Sequence, residues 1–264
     1  MRKGLLMKTY WQNFTKYRFL LRELVVNDIK LRYRKSVLGI IWSVLHPLMM
    51  MFVLTMVFSN LFKSDVPYFP VYVFTGRIIW DMYSQCTSMS MNSIVGNASL
   101  IKKVYIPKYI FPLAKCLSTL VNSGFSLIAL LVVMLFVGVK ITPVLLLVPL
   151  AIFYVFLFAT GVGLLLSAYT VFFRDISYLY EVILTAWMYF TPLFYPASVL
   201  PEKYQFIFYI NPLYYMVDFF RQIVMYRTFP SIFENAICFS IGFLTFFVGF
   251  YVFYKKQDKF ILHV

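Results

Sequence analysis

KLRYRKSVLGIIWSVLHP, residues 30–47, passes from a cluster of cations to an apolar run within a few positions. Lys30, Arg32, Arg34 and Lys35 cannot enter hydrocarbon cheaply, whereas Ile40, Ile41, Trp42, Val44 and Leu45 gain by leaving water. The lipid boundary therefore falls near Leu38-Gly39, with a cytoplasmic arm before it and membrane after it. Composition agrees: of 264 residues, 62% are hydrophobic, 21% aromatic and 13% charged, which excludes a water-soluble domain. The net charge of +14 sits in short segments between apolar runs, as in cytoplasmic loops facing anionic headgroups, and not on a nucleic-acid-binding surface.

The pattern predicts an all-α integral membrane protein with two parts: a cytoplasmic N-terminal arm over residues 1–36 and a six-span transmembrane domain over 37–264. In the arm, Tyr17, Leu20, Leu21, Leu24 and Val25 follow i, i+3, i+4, i+7, i+8 spacing, with Lys16, Arg22, Glu23, Lys30 and Arg34 turned away. This spacing predicts an amphipathic helix over 14–35, lying on the inner leaflet. Asp28 and Arg32 spoil its apolar side, so part of the helix is expected to press on protein instead.

A span needs about 20 residues at about 1.5 Å each. Six segments are read as spans: Leu38 to Leu61, Pro70 to Ile94, Tyr109 to Gly138, Pro143 to Ala168, Tyr178 to Tyr195 and Ile232 to Tyr254. An even number puts both termini on one side. The arm, the 94–115 region, Arg174 and the tail lysines hold 18 of the 24 cations, so that side is cytoplasmic.

The second span carries Arg77 and Asp81 at i, i+4, read as an ion pair in a structural role; no further carboxylates or histidines extend a proton relay from it. After it, residues 96–107 form a short cytoplasmic helix that Asn97 can cap, with Leu100, Ile101, Lys102, Lys103 and Ile106 ahead of Pro107. Two readings stand for this helix: docking into a groove on a soluble partner, or a positively charged anchor. Residues 196–230 are too aromatic for a solvated loop. They predict a re-entrant helical hairpin at the outer face, between the fifth and sixth spans, with helices over Glu202 to Tyr209 and Leu213 to Tyr226 broken at Asn211-Pro212.

Enzymatic readings find little support. The ten acidic residues are scattered, the two histidines (His46 and His263) lie far apart, and Cys86, Cys116 and Cys238 have no metal-binding spacing. No Gly-x-x-x-x-Gly-Lys-Ser/Thr element provides a nucleotide cradle. The N-terminus lacks the pattern of a cleavable signal peptide and is expected to be retained.

The run RYRKSVLGIIWSVLHP (32–47), TGRIIW (75–80), NASLIKKVYIPKYIFPLA (97–114), FRD (173–175) and NPLYYMVDFFR (211–221), in this order, resemble the permease subunit of ATP-binding-cassette type 2 polysaccharide exporters, which serve O-antigen, capsule and teichoic acid. The resemblance implies a homodimer in the bacterial cytoplasmic membrane, joined to two copies of a separate cytoplasmic ATPase that binds ATP and Mg; no cofactor is expected on this chain. It implies that the N-terminal helix and the loop helix (Asn97, Leu100, Ile101, Lys102, Lys103, Ile106, Pro107) contact the ATPase. It places the lipid-linked pyrophosphate near Leu38-Gly39 and lines the glycan channel with the first and fifth spans.

Arg32, Arg34 and Lys35 fit such a headgroup chemically, since guanidinium forks bind phosphate through charge-assisted bonds; contact with bulk anionic lipid is the competing reading. Trp42 in the first span, and Tyr180, Trp187, Tyr189, Phe190, Phe194 and Tyr195 in the fifth, are candidates to present rings to a sliding glycan, although aromatic residues also collect at lipid interfaces. Export of an undecaprenyl-pyrophosphate-linked polysaccharide such as O-antigen leads. A type 2 permease for a small hydrophobic drug or lipid, and a membrane scaffold or glycan-modifying enzyme, are the alternatives.

Overall fold

Prolines, left-handed residues and caps set the helix boundaries. The computed structural model describes residues 2–34, 36–62, 66–104, 106–199 and 201–263, and no strand occurs among them. The helices are α1 (Arg2–Tyr33), α2 (Trp42–Phe62), α3 (Phe69–Met91), α4 (Ala98–Lys103), α5 (Ile110–Val137), α6 (Val148–Thr170), α7 (Ile176–Tyr189), α8 (Phe206–Ile210), α9 (Pro212–Arg221) and α10 (Ile232–Lys256). Gly39, at φ +51, turns the chain from the arm into α2 through a short 3-10 turn. Gly138, at φ +81, closes α5 while Val139 N–H reaches back to the Met134 carbonyl at 2.9 Å. A Ser231–Glu234 capping box starts α10.

Among the described residues, four stretches are long and apolar enough to cross a membrane: Gly39–Ser59, Ile110–Val137, Pro143–Thr170 and Ile232–Leu262. The other two expected spans differ in kind. α3 has 23 residues, so it is long enough, but Arg77, Asp81 and Gln85 interrupt its apolar surface. α7 has 14 residues, about 21 Å against a core of roughly 30 Å. It stops at Tyr189 where the sequence pattern ran to Tyr195, because Pro192 has no amide to continue the ladder. In the hairpin region, α8 is shorter than expected, and α9 passes into a π-helical turn over Gln222–Tyr226.

The core forms around α3, which is buried along most of its length and packs on α5, α6, α2 and α9. α6 and α10 cross at glycines. A Cβ on Gly161 would lie 2.5 Å from Phe246 N, and one on Gly249 would strike the Gly161 backbone. Close approach at small residues gives dispersion contact where lipid offers no hydrophobic drive between helices. A second cluster gathers Leu21, Ile101, Ile106, Phe111, Phe253 and Phe260 near the basic end. Tyr17, Leu20, Leu24 and Val25 pack against it, so the apolar stripe of α1 rests on protein. The misfit at Asp28 has a tertiary cause: its carboxylate meets Lys115 Nζ of α5 at 2.6 Å.

The broken chain after α7 is held by Arg221. This side chain is 5% exposed and has no carboxylate partner among the described residues. Its guanidinium donates to the carbonyls of Pro192 (2.9 Å), Leu193 (3.1 Å) and Tyr72 (3.3 Å), and lies 3.5 Å from the centre of the Tyr72 ring. Tyr72 Oη donates to the Tyr195 carbonyl at 2.9 Å. Gly76 leaves room for the guanidinium, since a Cβ there would lie 2.9 Å from Nη2. Asn211 completes the seal. It takes Trp187 Nε1–H at 2.8 Å and Leu213 N–H at 3.0 Å, and donates to Thr191 Oγ1 at 2.8 Å.

Two stability outcomes are expected for protein purified in detergent. Gly249→Val should cost about 1–3 kcal/mol through forced separation of α6 and α10, whereas Gly124→Ala, with nothing within 4 Å of its Cβ position, should leave the thermal midpoint nearly unchanged. Arg221→Leu deprives the Pro192 and Leu193 carbonyls of donors, at about 1–3 kcal/mol each. Its midpoint should fall by several degrees, with Arg221→Lys recovering only part, and an unchanged midpoint would count against the lock.

Candidate functional site

The Gly39 turn swings α2 away from α1, and the space between them opens a cavity of about 480 Å3. Arg32 and Ser36 stand at the arm side of it, Trp42, Ser43 and His46 on α2, and Asp81 and Gln85 on α3. The fourth wall is one face of α5: Thr119, Asn122, Ser123 and Ser126, at i, i+3, i+4, i+7. That polar stripe is legible in the sequence as STLVNSGFS but draws no notice inside so apolar a run.

Arg32 is exposed. Its Nη1 lies 3.4 Å from Gln85 Oε1 and its Nη2 3.5 Å from Met89 Sδ, which explains why an arginine falls on the apolar side of α1. Among the other proposed headgroup residues, Arg34 and Leu38 are exposed, nothing lies within 4 Å of a Cβ built on Gly39, and none of the three lines the cavity, while Lys35 lies outside the described residues. At the deep end, Arg77 grips Asp81 with two contacts, Nη2 to Oδ1 at 2.7 Å and Nε to Oδ2 at 3.1 Å. Asp81 lines the cavity and Arg77 does not. The two side chains are 31% and 17% exposed near the middle of α3, where lipid would penalise both.

On the basic face, α4 turns Ile101 into the second core cluster, which Ile106 joins beyond the helix, and leaves Lys102 and Lys103 exposed. Leu100 and Pro107 are half-buried beside them. Asn97 occupies the position before the helix but makes no capping bond. Its amide donates back to the Ser93 carbonyl at 2.7 Å, because the preceding 3-10 turn brings that acceptor closer. A second groove, about 550 Å3, separates α1 from the end of α3 and contains the Asp28–Lys115 pair.

The aromatic candidates divide. Tyr180 is buried against α3, with its hydroxyl 2.7 Å from Thr87 Oγ1, and Phe194 is buried with its ring stacked on Phe58. Trp187 is held edge-on to Tyr83 and bonded to Asn211. Tyr195 donates to the Tyr189 carbonyl at 2.5 Å. Trp42, Tyr189 and Phe190 are exposed, the last two on a face of α7 shared by Tyr178, Val182 and Ile183. Arg221 and Lys115 are the contributors that sequence reasoning passed over. An arginine closing the aromatic run NPLYYMVDFFR was the available signal for the first.

Comparison with known proteins gives this architecture its kinship. Residues 20–225 match the model of the ABC-2 type transporter family. An O-antigen export system permease protein of Klebsiella pneumoniae is 30% identical over 251 residues, covering 92% of this chain and 95% of that protein. One from Myxococcus xanthus is 28% identical, covering 81% and 84%. A polysialic acid transport protein of Escherichia coli is 23% identical, covering 89% and 92%. With four apolar helices suited to spanning a membrane and a family match across most of its length, the chain belongs to the ABC-2 type transporters, as a membrane permease.

Proposed function

We propose that this chain is the channel-forming subunit of an ATP-driven exporter that carries a lipid-linked, undecaprenyl-pyrophosphate type polysaccharide, such as O-antigen, across the bacterial inner membrane. The observation that carries the reading is likeness, over nine-tenths of both chains, to a permease named for O-antigen export. The sequence has no nucleotide cradle of its own, so the work comes from a separate ATPase, two copies serving a permease homodimer.

Physical features support the finer parts of the reading. α3 counts as a second span because its charges neutralise each other and its remaining polar side chains face protein or the cavity. α7 counts as part of a fifth span, continued by the irregular chain to Tyr195. A non-helical backbone is tolerable at membrane depth when protein satisfies it, which is what Arg221, Tyr72 and Asn211 provide. Six spans put both termini on the cytoplasmic side, where the basic residues collect, and leave α8–α9 as the outer re-entrant hairpin.

α2 carries an open apolar face, Met49, Phe52, Val53, Met56 and Val57, and α7 carries another. These suit pairing with lipid and with a second copy. Trp42, Tyr189 and Phe190, exposed on those two helices, are the channel-lining aromatics best placed to meet a glycan. The pyrophosphate is received at the elbow by Arg32, Arg34 and Lys35, next to Leu38-Gly39. Lys102 and Lys103, on a helix whose apolar side is anchored in the core, are offered to the ATPase.

Clean deletion is expected to leave lipid-linked polymer in the cytoplasm; undiminished surface polysaccharide in the deletion strain would sink the reading. Reversing both loop charges, Lys102→Glu with Lys103→Glu, should preserve membrane insertion and cut coupled transport by about tenfold or more, equivalent to ~1.4 kcal/mol of lost docking. Transport assayed in vesicles at the wild-type rate would remove α4 from the coupling surface.

A further inference from the structure

Charge at the cavity mouth accounts for an anion, but the interior holds chemistry that a phosphate does not use. Asp81 presents a carboxylate there, and a second negative group placed against it is repelled. Each of its oxygens takes one contact from Arg77, which leaves lone pairs on both for further donors. The His46 imidazole, the Gln85 amide nitrogen and the Ser126 hydroxyl have no hydrogen-bond partner among the described residues, and all three line the same space. The Trp42 indole adds an apolar ring face on the α2 wall.

Planar amide, imidazole and carboxylate groups facing an aromatic ring complement a pyranose, whose hydroxyls need paired donors and acceptors and whose C–H faces need an apolar wall. Its volume, about 480 Å3, lies within the roughly 300–1,000 Å3 of small-molecule sites. The distribution of charge sets the orientation: phosphate outward at Arg32, neutral polyol inward at Asp81.

We infer that the cavity between α1, α2, α3 and α5 is a subsite for a single hexopyranose carried on a phosphate. Arg32 holds the phosphate, Trp42 covers one face of the sugar, and Asp81, Gln85, His46 and Ser126 bind its hydroxyls. The inference rests on the export reading for the source of such a ligand. The glycerol headgroup of an anionic phospholipid offers the same pairing of phosphate and hydroxyls, so the test separates the two.

Calorimetry on the full chain in phosphatidylcholine nanodiscs would compare farnesyl diphosphate with farnesyl diphosphate bearing one glucose. The wild type should bind the sugar-bearing probe about tenfold more tightly, the gain from one or two net hydrogen bonds. Ser126→Ala, at a half-buried position clear of both Arg32 and the Arg77 pair, should reduce that preference to about threefold or less while changing farnesyl diphosphate affinity by no more than about twofold. Arg32→Ala should weaken both probes together, and Asp81→Asn should abolish the preference.

Equal binding of the two probes by the wild type, no binding of either, or a preference that survives the Ser126 variant would each overturn the subsite. Displacement of both probes alike by added phosphatidylglycerol would overturn it in favour of a lipid headgroup. Loss of the subsite alongside polymer accumulation on deletion leaves the export reading standing. A sugar preference without accumulation overturns export alone.

Discussion

Polar groups at membrane depth must find their partners inside the protein, because acyl chains offer none, and the architecture follows from how this chain meets that demand. The break after α7 would expose bare carbonyls at Pro192 and Leu193. Arg221 reaches them from α9 while its ring contact with Tyr72 ties the same point to α3. A buried guanidinium in contact with carbonyls and an aromatic face can remain charged without a carboxylate, since three acceptors and a quadrupole take the place of water. The reciprocal holds at Asn211, whose side chain caps α9 and binds Trp187 and Thr191 together. One cation and one amide thereby make three short segments into a continuous wall.

The same demand explains the uneven character of α3. Its buried side carries Phe74, Ile79 and Tyr83 into the core, and its polar side carries Asp81 and Gln85 toward α2 and α5, with Arg77 held against Asp81. A helix with both faces apolar would leave no polar side. This one has a cavity along its polar side, with an ion pair near the helix midpoint and an arginine from α1 at the mouth. Such a series of polar groups runs from the basic elbow into the bundle and keeps a hydrophilic surface inside an apolar shell.

The N-terminal helix joins these two features to the basic face. Its apolar stripe packs into the cluster that also anchors α4, and Asp28 is bound to Lys115 on α5. Movement imposed on α4 is therefore shared, through one packed cluster, with the helix that carries Arg32. Packed cores shift as units more readily than they deform, so this cluster ties the position of α4 to that of α1 and of the cavity that α1 borders.

Composition, the cation-to-apolar change at residues 30–47 and the i, i+4 spacing of Arg77 and Asp81 were enough to establish a helical membrane protein with its cations gathered in short segments and a paired charge within α3. These are properties of the chain taken a few residues at a time, and lipid imposes them directly on the sequence. The anomalies in α1, Asp28 and Arg32, were visible too, but only as misfits. Tertiary structure supplied their partners, Lys115 and Gln85, from helices more than fifty residues away in sequence. It also decided that Tyr180 and Phe194 turn inward while Tyr189 and Phe190 stay exposed, and that four separated segments enclose one cavity. Those outcomes depend on the rotation of each helix about its axis. Contacts such as that between Gly161 and Gly249 set this rotation, and no local pattern encodes them.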